Sequence, residues 1–254
     1  MCLVLFAWDA HPDYKLIMAT NRDEFYNRPA TKACFWEELP DVLAGRDLKA
    51  GGTWLGVNKK GKFTAITNYR TFGQERANAR SRGELPLKYL KGPHNPLGYL
   101  EKIAPQSTEY NGFNLLVGNL NGLYYYSNKS NETERLQPGV YGLSNALLNT
   151  PWPKVKTGKK RLENIVFNTG WEAQDLLDML HNVEYADTNE LPQTGLSLKM
   201  EQALSPMFIK TDGYGTVSSN VLLISHDGDV EFAERVYAHR SGIIKESNFG
   251  FKVI

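Results

Sequence analysis

Cys2 is the residue with the most chemistry to offer. A methionine ahead of a small residue is ordinarily trimmed, and trimming Met1 makes Cys2 the N-terminal residue, with a thiol and an α-amine on the same carbon framework. An α-amine has a reference pKa near ~7.7–8.0, so part of it is a neutral base at physiological pH. Such an amine can take the thiol proton, directly or through a water, and later give a proton to a leaving amine. The ordinary alternative is that Cys2 is simply a small buried hydrophobe.

The run Asn21-Arg22-Asp23-Glu24 is the second place where residue types point to chemistry. It follows directly on the apolar run Tyr14 to Thr20. Charges there must be solvated or paired, because a buried unpaired charge is strongly unfavourable. Residues 2–9 and 14–20 are two apolar runs joined by Ala10-His11-Pro12-Asp13, a turn sequence, so they read as an antiparallel hairpin. The far end of that hairpin brings residues 21–24 back beside Cys2. A guanidinium next to a thiol lowers its pKa, and a carboxylate next to an α-ammonium can hold it.

The elements needed to hold these groups follow the same pattern along the chain. Residues 53–58 and 62–68, 113–119 and 122–127, and 216–224 and 229–237 read as three further hairpins, the second of these across Asn121-Gly122. Residues 82–91, 96–104, 153–167 and 171–181 read as helices, the third with Pro153 at its start and Leu162, Ile165 and Val166 at helical spacing. Hairpins, then helices, then hairpins predict an α+β fold of mostly antiparallel sheets with segregated helices. One domain over 1–254 is expected. Residues 128–138 read as a polar loop and 185–202 as an irregular segment that covers something.

Composition narrows the partners. The formal charge of the 254 residues is +1, which gives no electrostatic reason to expect nucleic acid or an anionic membrane. A small molecule in a pocket is the expected ligand. Two cysteines exclude a disulfide scaffold and a cysteine-rich zinc site and fit a reducing, cytoplasmic setting. No apolar run approaches the ~18 to 20 residues of a membrane-spanning helix. His11, His94, His181, His226 and His239 form no paired metal-binding spacing, so no metal is expected. Lys154, Lys156, Lys159, Lys160 and Arg161 read as a solvated helix face. Tyr124-Tyr125-Tyr126 reads as strand packing.

Met-Cys followed about twenty residues on by Asn-Arg-Asp-Glu resembles the NRDE, or transport and Golgi organisation protein 2, family. Further matching words are Gly52-Thr53-Trp54-Leu55-Gly56, Ala65-Ile66-Thr67-Asn68-Tyr69-Arg70, Tyr141-Gly142-Leu143-Ser144-Asn145 and Asn149-Thr150-Pro151-Trp152-Pro153-Lys154. The family is similar to the N-terminal nucleophile hydrolases, which implies a four-layer αββα sandwich. Within that group the resemblance is to cysteine enzymes that cleave bile-salt and penicillin amides. It implies hydrolysis of a non-peptide C–N bond through a thioester, with Cys2 as nucleophile, Arg22 and Asp23 as support, and Asn68 and Asn145 as oxyanion donors. An amide donor of that kind is worth about 3 kcal/mol in the transition state. Asn21 and Glu24, with Trp54 and Trp152 beside the asparagine words, are the candidate substrate-binding residues. The resemblance implies no cofactor for the hydrolase. Its non-enzymatic alternative is a carrier of haem, lipid or acyl-coenzyme A that uses the same pocket. One departure stands out: Tyr214-Gly215-Thr216-Val217-Ser218-Ser219 has Val217 where the related word has arginine.

Overall fold

The computed structural model describes residues 2–238 and 243–254. The first hairpin is β1 (Cys2–Trp8) and β2 (Tyr14–Phe25). It lies inside a six-stranded sheet with β10 (Gly139–Leu143), β11 (Tyr214–Ser225), β12 (Asp229–Ala238) and β13 (Ile243–Lys252), in the order β10-β1-β2-β11-β12-β13. A seven-stranded sheet takes β3 (Ala30–Trp36), β4 (Leu39–Asp47), β5 (Leu55–Asn58), β6 (Phe63–Asn68), β7 (Phe113–Asn119), β8 (Gly122–Ser127) and β9 (Glu132–Arg135) in chain order. Every strand pairing in both sheets is antiparallel.

Three cores define the layers. Val4, Phe6 and Trp8 of β1 point between the two sheets, while Leu3, Leu5 and Ala7 point the other way. That outer core is closed by α3 (Pro153–Val166) and α4 (Ala173–Leu180), through Val155, Leu162, Leu176 and Leu180. The third core lies beneath α1 (Glu84–Lys91) and α2 (Pro96–Ile103), against Leu115 and Val117 of β7. The layers are therefore helices, sheet, sheet, helices. A strand covered on both faces has no reason to alternate polar and apolar residues, which is why β1 reads as an unbroken apolar run.

The differences from the sequence reading lie at edges. Edge strand β9 falls inside the expected polar loop 128–138, and all four of its residues are exposed. The β3–β4 hairpin has no counterpart in the sequence pattern, because β3 is largely exposed and β4 carries Pro40. A short helix, α5 (Leu198–Ala203), interrupts the expected irregular segment 185–202. No helix among the described residues is long and apolar enough to cross a membrane.

A buried carboxyl, Glu234, bridges the two sheets. Glu234 of β12 is 2% exposed, and its Oε2 accepts from the backbone N–H of Ala33 on β3 at 2.6 Å. Burial pushes its pKa up to about 7, against the ordinary ~4.3 of an unfolded glutamate. Between those values the folded chain keeps a proton that the unfolded chain has released. Stability contributed at this site is therefore lost as pH rises from about 4.3 through 7, by at most ~1.4 kcal/mol for each pH unit crossed. Urea denaturation of Glu234→Gln at pH 4.5 and 7.5 should show a smaller fall than wild type. An equal fall in both would contradict a buried protonated carboxyl.

Candidate active site

The pairing of β1 with β2 puts Cys2 directly opposite Arg22. The expected return of residues 21–24 beside Cys2 is thus a property of the register. The backbone N–H of Asp23 acts to lower the Cys2 thiol pKa. On the other side, Ser144 Oγ, one residue past β10, donates to the Cys2 carbonyl at 3.2 Å. Cys2 therefore sits where two strand ends meet, partly open to a cavity of about 410 Å³. Burial pushes its thiol pKa up, Asp23 adds to the rise, and Arg22 and the Asp23 N–H oppose it.

Alternation along β2 sends its polar residues to opposite layers. Arg22 reaches between the sheets. Its guanidinium stacks on Trp54 at 4.1 Å, and Nη2 lies 3.4 Å from Asp47 Oδ2. Asp47 is also bound by Arg28 Nε at 2.6 Å. Asp23, 1% exposed, reaches toward the helices, where Thr216 Oγ1 donates to its Oδ1 at 2.7 Å. Burial raises the Asp23 pKa, while Lys154 and Arg70 act to keep it ionised. Asn21, two residues earlier on the same face, donates from Nδ2 to the carbonyls of Leu180 and Met207 at 3.0 and 2.8 Å and accepts from Ser219 Oγ at 2.6 Å.

Cys2, Arg22, Asp23, Glu24, Trp54 and Asn68 line one cavity. Asn145 and Trp152 do not; they line a neighbouring cavity of about 430 Å³ with Tyr69, Arg70 and Phe72. The two cavities meet where Asn145 Nδ2 donates to the Asn68 carbonyl at 2.8 Å. Asn21 lines neither, and its amide is fully occupied in clamping the sheet to the helix layer.

Lys154 corrects the sequence reading. The pattern of basic residues puts it on a solvated helix face, yet it is 4% exposed and its Nζ donates to the Leu204 carbonyl at 3.1 Å. Burial pushes its pKa down to about 8, while Asp23 works to keep it charged. The signal in the sequence is its position: a cation in the first turn of a helix opposes the dipole and needs an anion nearby. Arg70, a second residue that the sequence reading passes over, closes the word that begins at Ala65. Its Nη1 lies 2.8 Å from Glu201 Oε2, and Thr194 binds the other carboxylate oxygen. Glu201 carries no signal, because the segment around it shows no periodicity. Val217 sits in a β-bulge, between the rungs Thr216–Asp23 and Ser218–Arg22. Among the described residues no group of three or more His, Cys, Asp or Glu is placed to hold a metal.

A family model described as Transport and Golgi organisation 2 matches residues 1–239. The chain belongs to this family. It is similar to the Transport and Golgi organization protein 2 homolog of Bos taurus, with 39% identity over 256 residues and 92% of each chain covered. The Drosophila melanogaster Transport and Golgi organization protein 2 is 29% identical, covering 92% of this chain and 91% of its own. Among solved structures, the Caenorhabditis elegans ortholog of N-acylethanolamine-hydrolyzing acid amidase has a TM-score of 0.46 at 10% identity, over 87% of this chain and 92% of that one. The C2A mutant of the conjugated bile acid hydrolase from Clostridium perfringens has a TM-score of 0.43 at 10% identity, over 99% and 97%.

Asn21→Ala separates clamp from site. It removes three buried hydrogen bonds, takes a donor from two carbonyls and leaves the Ser219 hydroxyl with Tyr237, so a stability loss of about 2–4 kcal/mol is expected in urea titration. The rate of Cys2 alkylation in the folded protein should stay within about twofold of wild type. A stable variant with altered Cys2 reactivity would return Asn21 to the site.

Proposed function

We propose that this chain is a cysteine amidohydrolase that cleaves the C–N bond of a small acyl amide through a thioester. The observation that carries this reading is Cys2 lining a cavity, paired across the strands with Arg22. Removal of Met1 frees the Cys2 α-amine, which takes the thiol proton. The thiolate attacks the amide carbonyl carbon and its π electrons move to oxygen. Asn68 lines the cavity to meet that oxyanion, and Asn145 Nδ2 keeps one hydrogen beyond the one bonded to the Asn68 carbonyl. The oxyanion collapses, the C–N bond breaks and the leaving nitrogen takes the proton from the α-ammonium. Water then attacks the thioester, which releases a carboxylic acid and restores the thiol. Trp54 and Glu24 shape the wall that the substrate meets, and Trp152 stands in the adjoining cavity.

The carrier alternative fits this cavity less well. Haem or an acyl chain needs broad apolar walls. Among the described residues, Trp54 and Ile66 are the two large apolar side chains of the lining, which is otherwise mostly polar and charged.

Intact-mass measurement of the native protein should show loss of Met1. In a panel of small acyl amides, Cys2→Ala should lower product release by at least about 10³-fold, as expected when the nucleophile is removed. Retention of Met1, or a Cys2→Ala protein as active as wild type, would sink the hydrolase reading.

A further inference from the structure

A thiol whose ionised form burial disfavours is drawn toward the thiolate by each cation placed near it. Arg22 is the obvious cation, but its guanidinium is committed to the Trp54 ring and shares Asp47 with Arg28. Val217, in the bulge beside the Arg22 rung, brings no charge. We infer that Arg82 is the second cation of the thiol site, facing Cys2 across the cavity and holding it in its reactive, ionised form. This rests on Cys2 being the nucleophile.

Placement comes first. Arg82 lines the same cavity as Cys2. Its side chain is largely covered, with Nη1 donating to the Gly112 carbonyl at 3.0 Å. That carbonyl also accepts from the backbone N–H of Tyr69, the neighbour of Asn68. Arg82 is thus tied to the strand end that presents the candidate oxyanion donor. The backbone behind it is fixed as well. Thr53 N–H donates to the Gly83 carbonyl at 3.0 Å, an approach so close that a Cβ at Gly52 would fall 2.4 Å from Gly83 backbone atoms. This couples Arg82 to Trp54, on which Arg22 stacks. The carboxylate that faces Arg82 is Glu75, which is 61% exposed and 3.6 Å from Nη2, too loose and too solvated to cancel the charge.

The surrounding charges are mixed. Arg22, Asp23 and Glu24 of β2, Tyr214 of β11, Lys154 of α3 and Arg82 all act electrostatically on Cys2 or its immediate neighbours. Arg28, Asp47, Lys49, Arg76 and Arg80 complete the charged lining, with Arg28 on Asp47 and Arg80 on Glu84 and Glu109. Burial works against the Arg82 charge, and Glu75, Cys2 and Glu24 sustain it, so the attraction between Arg82 and an ionised Cys2 is mutual.

The test needs no substrate. Iodoacetamide labelling across pH 5–10, read by peptide mass spectrometry, follows Cys2 with the exposed Cys34 as internal reference. In Arg82→Met the apparent Cys2 titration should move up by about one pH unit, which slows labelling at pH 7 about tenfold, while Cys34 is unchanged and Arg82→Lys recovers most of the rate. Arg82→Gln, which keeps an N–H donor for the Gly112 carbonyl but carries no charge, should slow Cys2 labelling at pH 7 as much as Arg82→Met does. A folded Arg82→Met whose Cys2 profile overlies wild type overturns the assignment. Should Arg82→Met fail to fold, a folded Arg82→Gln whose Cys2 profile overlies wild type overturns it instead. A wild-type Cys2 no more reactive than Cys34 overturns the nucleophile reading itself, which is a separate result.

Discussion

The constraint on which the rest of the structure depends is the antiparallel rung between Cys2 and Arg22. It lies at the end of two strands that are buried on both faces, so the polar run after Thr20 cannot simply turn into solvent. Alternation then does the sorting. Arg22 goes between the sheets and must find Asp47 and Trp54, while Asn21 and Asp23 go toward the helices and must find Ser219, Thr216 and the main chain around Leu180 and Met207. Each partner comes from a different element. The polar residues therefore tie the two sheets and the outer helix layer together at one edge, and the thiol stands at their junction.

This explains why some of the site is legible in the sequence and some is not. The β1–β2 hairpin and its register follow from two apolar runs and a proline turn, and they place Cys2 by Arg22 without further help. The hairpins at 113–127 and 214–238 are readable for the same reason. What escapes are groups whose role depends on a long-range contact. Lys154 looks like one of five basic residues on a helix, and only the burial of α3's first turn against Leu204 sets it apart. Glu201 and Arg70 are 131 residues apart and meet through a segment without periodicity. Edge strands β3 and β9 escape because an edge exposed to water carries polar residues and so loses the pattern that marks an interior strand.

Asn21 shows the reverse error. It belongs to the same polar run as Arg22 and Asp23, and adjacency in sequence makes it a substrate-binding candidate. A strand puts neighbours on opposite faces, so adjacency is a poor guide to shared function there. Both ends of the Asn21 amide are consumed inside the helix-side layer. Asn68 and Asn145 come from different sheets: one lines the thiol cavity, the other lines the next cavity and reaches back through a single bond to the Asn68 carbonyl.

Charge at the thiol is likewise a matter of place, not of position in a motif. Val217 sits in a bulge that adjoins both the Asp23 and the Arg22 rungs, and it is uncharged. The cations that surround the site arrive from elsewhere: Arg82 from the loop ahead of α1, Arg70 from the end of β6 and Lys154 from the start of α3. Two of these are held to main-chain carbonyls, Gly112 for Arg82 and Leu204 for Lys154, which fixes a charge without neutralising it. A carboxylate in either place would have cancelled the field. Backbone anchoring leaves the Lys154 charge directed at Asp23, whose ionised form burial disfavours.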